Sequence, residues 1–438
     1  MKKWVAVTAF IVYMSKSWSG VDAQQLSKAE IDQVIGSVAQ ILESRYVYPE
    51  KGRKIANVLN KNHRRGVYDD ITDELQLVEQ IQGDMLAVVN DSHLMFDYNP
   101  EHAAQLLKDA ENPTHSWEIK SQSPGMERFN YGFQSVKILD GNIGYLKLDV
   151  FYDTEDASEV AVAAMNFLGR TDAIIVDLRQ NGGGSWKMIQ LISSYLFDST
   201  PVHLGGFYWR PEDKQTQHWT LPHVPGNRNP DAEVFILTSA NTHSAAEEFS
   251  YNLKHLKRAR VIGESTMGGA HPGEFVPIGN QFVLLVPHGR SVNPVTGTNW
   301  EGTGVQPDTQ VTASEALEVA KLEALQRLSE KFPGSHGDLH RWFLVSQQAR
   351  LNPVSLSQAT LQSYAGTYGP RTLVAQNGQL YYQRAGGSKL LLNALAEDLF
   401  ELDVDHSFRM KIIRNDGQAV AVQGLFDNGY TDQFPRSD

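Results

Sequence analysis

Three polar segments of the sequence carry residues that are capable of nucleophilic or acid–base chemistry. Ser92 and His93 follow a helical pattern, Ser244 lies in TSANTHSAAEE, and Glu301 lies in WEGTGVQPD. The pattern around Ser244 predicts a strand, a turn and a helix, so backbone amides at the helix start would face a developing oxyanion. A histidine can serve as the base for such a serine, and a partly desolvated carboxylate can orient that histidine.

Each of these residues also has an ordinary structural interpretation. Ser244 and Glu247 fit an S-x-x-E capping box at a helix N-terminus. His93 fits a solvated or packed loop histidine, and Glu301 fits a surface glutamate. His243 is not expected to act as the base, because adjacent residues on a turn usually point apart. Taken singly, none of the segments decides between the two interpretations.

A glycine-rich segment, DLRQNGGG, occupies residues 177–184, after a predicted buried strand and before a predicted helix. Glycines let the backbone approach a ligand closely, and free amides at a helix start can bind an anionic oxygen. The segment lacks the GxxxxGK[ST] spacing of a phosphate loop. A plain strand-to-helix turn is the alternative.

Composition excludes several classes of site and partner. The chain has no cysteine, which rules out disulfides, thiolate-bound metals and thiol nucleophiles. The 14 histidines show no HExxH motif, and we expect no metal and no organic cofactor. A net charge of −12 argues against nucleic acid or an anionic membrane as the main partner.

The N-terminal 23 residues resemble a secretory signal. Lys2 and Lys3 precede a short apolar run, and the polar stretch after it ends in VDA, which predicts cleavage after Ala23. The run is too short for a comfortable membrane span, so we expect no span in the mature chain. The expected location is therefore periplasmic or secreted, in a bacterium.

The hydrophobic period changes along the chain and predicts a multidomain α/β protein. Apolar residues at helical spacing predict three helices in a domain over 24–96. Alternating strands and helices over 97–335 predict an α/β domain with a mostly parallel sheet, whose functional edge lies at the carboxyl ends of the strands. Short strands with turn signals predict a small β-domain over 355–438, after a breaker at Pro333.

Taken together, the ordered motifs resemble the tail-specific, or C-terminal-processing, serine peptidase family. The motifs are DLRQNGGG, TSANTHSAAEE, VIGESTMGGAHP and WEGTGVQPD. The resemblance implies a crotonase-like central domain and a peptide or protein substrate. It also implies a lipocalin-like β-domain at the C-terminus. The family's PDZ domain has no room between 97 and 139. Oligomeric state is not readable.

The resemblance implies a Ser-His-Ser-Glu tetrad of the tricorn-like branch. Ser244 matches the nucleophile, Ser92-His93 the Ser-His pair, and Glu301 the glutamate. In this scheme Ser92 links His93 to Glu301. The other branch uses a Ser/Lys dyad, whose lysine position is Gly269 here.

The same resemblance implies an oxyanion hole from the amides of Gly183 and Ala245, with Gly182 or Gly184 as alternatives to the first. It also leaves a second function open. The outline is similar to the repeats of interphotoreceptor retinoid-binding protein, so a non-catalytic protein that binds hydrophobic ligands is the alternative to a peptidase.

Overall fold

The computed structural model of the protein describes residues 26–111 and 125–437. The predicted signal segment, residues 1–23, lies outside the described residues. Within the described ranges, none of the helices combines the length and the hydrophobicity that a membrane crossing needs.

The described part of the chain contains ten α-helices and twenty β-strands. The helices are α1 (Lys28–Arg45), α2 (Pro49–Arg64), α3 (Glu74–Leu86), α4 (Pro100–Glu111), α5 (Thr154–Phe167), α6 (Trp186–Tyr195), α7 (Ala245–His255), α8 (Ala316–Lys331), α9 (Gly334–Leu351) and α10 (Gln358–Tyr364). The strands are β1 (Met95–Tyr98), β2 (Phe133–Leu139), β3 (Ile143–Leu148), β4 (Ala173–Asp177), β5 (His203–Trp209), β6 (Lys214–Trp219), β7 (Glu233–Thr238), β8 (Ala259–Gly263), β9 (Gly273–Ile278), β10 (Phe282–Pro287), β11 (Gly289–Val292), β12 (Thr309–Gln310), β13 (Gly366–Tyr368), β14 (Arg371–Gln376), β15 (Gln379–Arg384), β16 (Lys389–Ala396), β17 (Leu399–Leu402), β18 (Asp405–Asn415), β19 (Gln418–Phe426) and β20 (Thr431–Pro435).

The chain divides into two compact units, and in the described ranges the first comprises residues 26–90, 94–111 and 274–286. Its described part holds the three predicted helices α1 to α3, whose apolar faces form one core. Ser27 and Glu30 cap α1 reciprocally. A three-stranded sheet in the order β1-β10-β9 completes this core, so distant chain segments share it.

In the described ranges the second unit comprises residues 91–93, 125–273 and 287–437. Its central sheet has the order β12-β8-β7-β4-β3-β2, and all neighbours are parallel except β2 and β3. Ile174 and Val176 of β4 face one apolar cluster, whereas Ala173 and Ile175 face the other. Because successive side chains alternate between the faces, β4 reads as a continuous apolar run. The predicted α/β class is confirmed.

The C-terminal strands β13 to β20 form one antiparallel meander in sequence order. A bridge between Tyr368 and Arg436 brings its two edges together, so the sheet nearly closes into a barrel. Tyr368, Phe400 and Met410 are buried in its core. The predicted small β-domain is confirmed, while the domain boundaries given by the sequence stay a prediction.

The helices α4, α9 and α10 were not expected, and the reason is clearest for α9. The sequence suggested that the chain breaks at Pro333, but Pro333 is the residue before α9, which continues to Leu351. A proline has no free N–H and a fixed φ, so it is as compatible with a helix start as with a helix end. Pro333 therefore separates two helices.

Candidate active site

Two parallel strands bring the glycine-rich segment and the serine turn together. Asp177 at the end of β4 lies beside Leu237 of β7, and each strand runs directly into one of the two segments. Parallel neighbours end at the same edge of a sheet, so the loops after them are adjacent. A Cβ added to Gly183 would lie 2.7 Å from the Ser244 Cβ. Gly183 is therefore next to the predicted nucleophile, and no side chain fits there.

Ser244 has a backbone conformation that residues other than glycine rarely adopt. Its φ is 54° and its ψ is −119°, directly before the first residue of α7. Such outliers persist only where the surroundings enforce them, and they are frequent at reactive sites. The turn projects the Ser244 hydroxyl toward His93, whose Nε2 lies 3.0 Å from Ser244 Oγ. This distance suits proton transfer between the two groups.

Ser92 has a different partner from the one that the resemblance implied. Its Oγ lies 2.8 Å from Nε2 of His243, and Glu301 instead accepts a hydrogen bond from the Ala270 amide at 2.7 Å. The rings of His93 and His243 stack with centroids 4.6 Å apart. His243 thus touches both residues of the Ser-His pair, which the sequence reasoning missed because it took adjacent turn residues to point apart.

A second pair of residues, absent from the sequence prediction, lies behind the histidines. Asp91 and His271 are both buried, and Asp91 Oδ2 is 2.8 Å from His271 Nδ1. The other oxygen of Asp91 accepts the backbone amide of His93 at 3.0 Å. Glu301 Oε2 lies 3.4 Å from the same His271 nitrogen. Glu301 therefore lies next to His271, and His271 is the residue that places it close to the histidine pair. The position of Asp91 directly before Ser92 was the feature of the sequence that could have indicated its part in the site.

The glycine-rich segment is held by the fully buried Asn181. Its side chain donates to the Leu148 carbonyl at 2.9 Å and accepts the Gly183 amide at 2.8 Å. Its own carbonyl accepts the His243 amide. The Gly183 N–H is therefore engaged within the loop, which differs from the expectation that it faces the oxyanion. Ala245 begins α7 next to Ser244, at the positive end of that helix.

Glu247 is fully buried and connects the serine turn (residues 239–244) to a second turn at residues 267–270, which we call the glycine turn. One oxygen accepts the amides of Ser244 and Gly269, each at 2.9 Å, and the other accepts Gly268 N and Thr266 Oγ1. The bond to the Ser244 amide is half of the predicted capping box. Ser244 Oγ, the other member of that capping box, also lies 3.0 Å from His93 Nε2. Four hydrogen bonds offset part of the cost of burying this carboxylate, although burial still raises its pKa.

The position that a lysine holds in the Ser/Lys branch is filled by other side chains. A Cβ built on Gly269 would come within 3.0 Å of His243, Ser92 and His93. Trp300 donates from Nε1 to the Gly269 carbonyl at 2.7 Å and fixes the turn there. No side chain fits at residue 269 unless these groups move.

Burial and neighbouring charges shift the pKa values of two candidate residues in opposite directions. Removal from water, followed by repulsion from His243, lowers the pKa of His93 to about 3, although Asp91 acts against this shift. Burial, the largest cause, and repulsion from Asp91, the second, raise the pKa of Glu301 to about 7. Burial also lowers the pKa of His243. These two lowered pKa values favour the neutral forms of His93 and His243 at pH 7.

Comparison with known proteins identifies the family. Residues 142–311 match the model of peptidase family S41, and residues 25–132 match the model described as the N-terminal domain of Peptidase_S41 in eukaryotic IRBP. The chain belongs to peptidase family S41. The S41 match contains the glycine-rich segment, the serine turn and Glu301.

Two relatives show the extent of the similarity. A tail-specific protease of Haemophilus influenzae is 28% identical over 139 residues, covering 30% of this chain and 18% of that protein. A probable CtpA-like serine protease of Staphylococcus haemolyticus is 23% identical over 222 residues, covering 49% and 43%. The chain thus spans less than half the length of these relatives.

Solved structures of low sequence identity are also similar to this chain. The photosystem II D1 C-terminal processing protease is 15% identical with a TM-score of 0.45, covering 69% of this chain and 97% of that one. A lipoprotein from Streptococcus agalactiae is 16% identical with a TM-score of 0.47, covering 69% and 98%.

Gly269→Ala tests whether the turn leaves no space for a side chain. We expect at least a tenfold slower reaction of Ser244 with a fluorophosphonate probe, because the new methyl displaces His243, Ser92 or His93. Gly36→Ala is the matched control, since no heavy atom lies within 4 Å of a Cβ there. That change in α1 should leave labelling unaltered and stabilise the fold by about 0.4–1 kcal/mol. Equal labelling rates in both variants would contradict the packing described here.

A double-mutant cycle tests the pairing of Ser92 with His243. Ser92→Ala and His243→Ala should reduce the labelling rate by similar factors, and the double variant should be no slower than the slower single variant. If the two residues act only through their mutual contact, either single substitution removes that contact, and the second substitution then has no further effect. Additive losses in this cycle, together with non-additive losses between Ser92→Ala and Glu301→Gln, would restore the link from Ser92 to Glu301.

Proposed function

We propose that this protein is a serine-type peptidase that hydrolyses peptide bonds of proteins or peptides. The observation that carries the proposal is the 3.0 Å distance between Ser244 Oγ and His93 Nε2, with Ser244 in its strained turn before α7. Membership of family S41 supports the same reaction class. The substrate class rests on the relatives, which are described as proteases.

In the proposed first step, Ser244 Oγ attacks the scissile carbonyl carbon while its proton passes to His93 Nε2. A tetrahedral intermediate forms, and the protonated His93 then donates this proton to the leaving amine nitrogen. Water hydrolyses the resulting acyl-enzyme, with His93 again as the base. The lowered pKa of His93 keeps the ring neutral, which is the form that can accept the proton.

Ala245 is the amide donor to the oxyanion that we favour, because it follows the nucleophile at the start of a helix. Gly183 would be the second donor only after its amide N–H breaks its hydrogen bond to Asn181 Oδ1. Ser92 and Glu301 are proposed to act as positioning residues, Ser92 through His243 and Glu301 through the Ala270 amide and His271. Periplasmic or secreted localisation remains part of this proposal.

Ser244→Ala tests the nucleophile. We expect complete loss of fluorophosphonate labelling and a fall in kcat/KM of at least a thousandfold on peptide substrates, with the fold retained. Loss of a serine at a helix start lowers the free energy of unfolding by about 0.5–2 kcal/mol. Ser265→Ala is a matched control, because Ser265 bonds the Gln306 side chain and not the site histidines. Activity of Ser244→Ala within tenfold of the parent would refute the assignment.

The same probe separates the peptidase from the alternative, a protein that binds hydrophobic ligands. A binder has no need of an activated serine, so the parent protein would then react no faster than Ser244→Ala. Labelling that depends on both Ser244 and His93 supports the peptidase.

The pH profile tests the two shifted groups. Because the pKa of His93 lies far below 6.5, this base stays neutral as the pH falls through 6.5, and its acid limb moves to lower pH. Glu301 is the group expected to titrate near pH 7. We therefore expect that kcat/KM of Glu301→Gln is flat from pH 8 to 5. An inflection near 6.5 that survives in Glu301→Gln would show that His93 has an ordinary pKa.

A further inference from the structure

We propose that Asp172, His336 and His340 form a binding site for a divalent transition-metal ion of the zinc class. None of the three residues belongs to the candidate active site, and the sequence analysis expected no metal. Each residue offers one ligand atom, and these three atoms lie within 4.8 Å of one another.

The two distances from the carboxylate to the histidines fit a tetrahedral ion. Asp172 Oδ2 is 3.2 Å from His336 Nε2 and 3.4 Å from His340 Nε2. A metal with bonds of about 2.0–2.1 Å and tetrahedral angles separates its ligands by roughly 3.3 Å. Two imidazoles and a carboxylate are the donor set that zinc accepts, with one position open to water or a fourth ligand.

The helix supplies the two histidines in register. His336 and His340 are four residues apart on α9, so their side chains lie on one face of the helix. Their rings are nearly parallel, with centroids 5.4 Å apart, and Phe332 stacks on His336 at 4.6 Å. The phenyl ring covers one face of the ligand set, while His336 is half exposed and gives an ion access from solvent.

A second, independent observation points to a missing ligand. The His340 side chain is fully buried, yet neither ring nitrogen makes a hydrogen bond of good geometry with a described residue: Nε2 is 3.4 Å from Asp172 Oδ2, and the Gly141 backbone lies beside the ring. Buried polar atoms are nearly always partnered, because an unpaired one costs about 1–3 kcal/mol. An ion shared with Asp172 would satisfy Nε2.

The carboxylate is held ready for this role. Asn142 donates from Nδ2 to Asp172 Oδ2 at 3.0 Å, as outer residues do around metal ligands. The Asp172 backbone bonds both Asn142 and Glu233, which fixes it directly before β4. This end of β4 is opposite to the end that leads to Gly183, so the ion would tie α9 to the sheet and have no part in the reaction of Ser244.

Calorimetric titration of chelator-treated, full-length protein with ZnCl₂ tests the site. We expect one ion per chain and a higher Tm with zinc. His336→Ala should weaken binding by about 100-fold or more, since loss of a ligand exceeds the tenfold to hundredfold effect of an outer residue. His336 is half exposed, so this variant should fold even if His340→Gln does not. Co²⁺ in place of zinc should give the absorption bands of a tetrahedral complex, and His336→Ala should abolish them.

Two controls make the result specific. His63→Ala removes a surface histidine paired with Asp32 at 2.7 Å, to which the described residues add no third ligand, so zinc binding should be unchanged. The other candidate set contains Asp91, His271 and Glu301, and His271→Gln removes it. Absence of zinc binding in the parent overturns the proposal. So does binding that survives in His336→Ala or disappears in His271→Gln alone.

Discussion

The burial of the Glu247 carboxylate is the constraint on which the rest of the site depends. Its two oxygens accept hydrogen bonds from Ser244, Thr266, Gly268 and Gly269. Hydrogen bonds to a charged group contribute about 1.5–3 kcal/mol each, and an unpaired buried carboxylate would be strongly destabilising. The serine turn and the glycine turn are thus held in one arrangement, because only that arrangement satisfies the charge.

Several features of the site follow from this anchor. The hydrogen bond to Glu247 fixes the Ser244 amide, which helps to enforce the positive φ of Ser244 and directs its Oγ to His93. The glycine turn is held so close to the histidines that residue 269 has no room for a side chain. The same turn continues to Ala270, whose amide binds Glu301. One buried carboxylate therefore positions the proposed nucleophile and its surroundings together.

Much of the fold and part of the site could be predicted from local patterns. The continuous apolar run of β4 indicates a strand that is buried on both faces, and the segments after β4 and β7 lie at the same edge because parallel strands end together. The approach of His93 to Ser244 was predicted through the family resemblance. The helix α9 was missed, because a proline marks a helix start as readily as an end.

The sequence by itself determined most of the helices, the buried strands of the central sheet, the turn residues and the types of side chain that are available for chemistry. Hydrophobic periodicity and the steric limits of the backbone act over a few residues, so they can be recognised in the amino-acid sequence. Only the tertiary structure decided that Ser92 meets His243, that Asp91 meets His271, and that Asp172 meets two histidines of α9. These contacts join residues up to 180 positions apart. They form because packing and the need to satisfy buried polar groups select partners in space, and no local pattern encodes that choice.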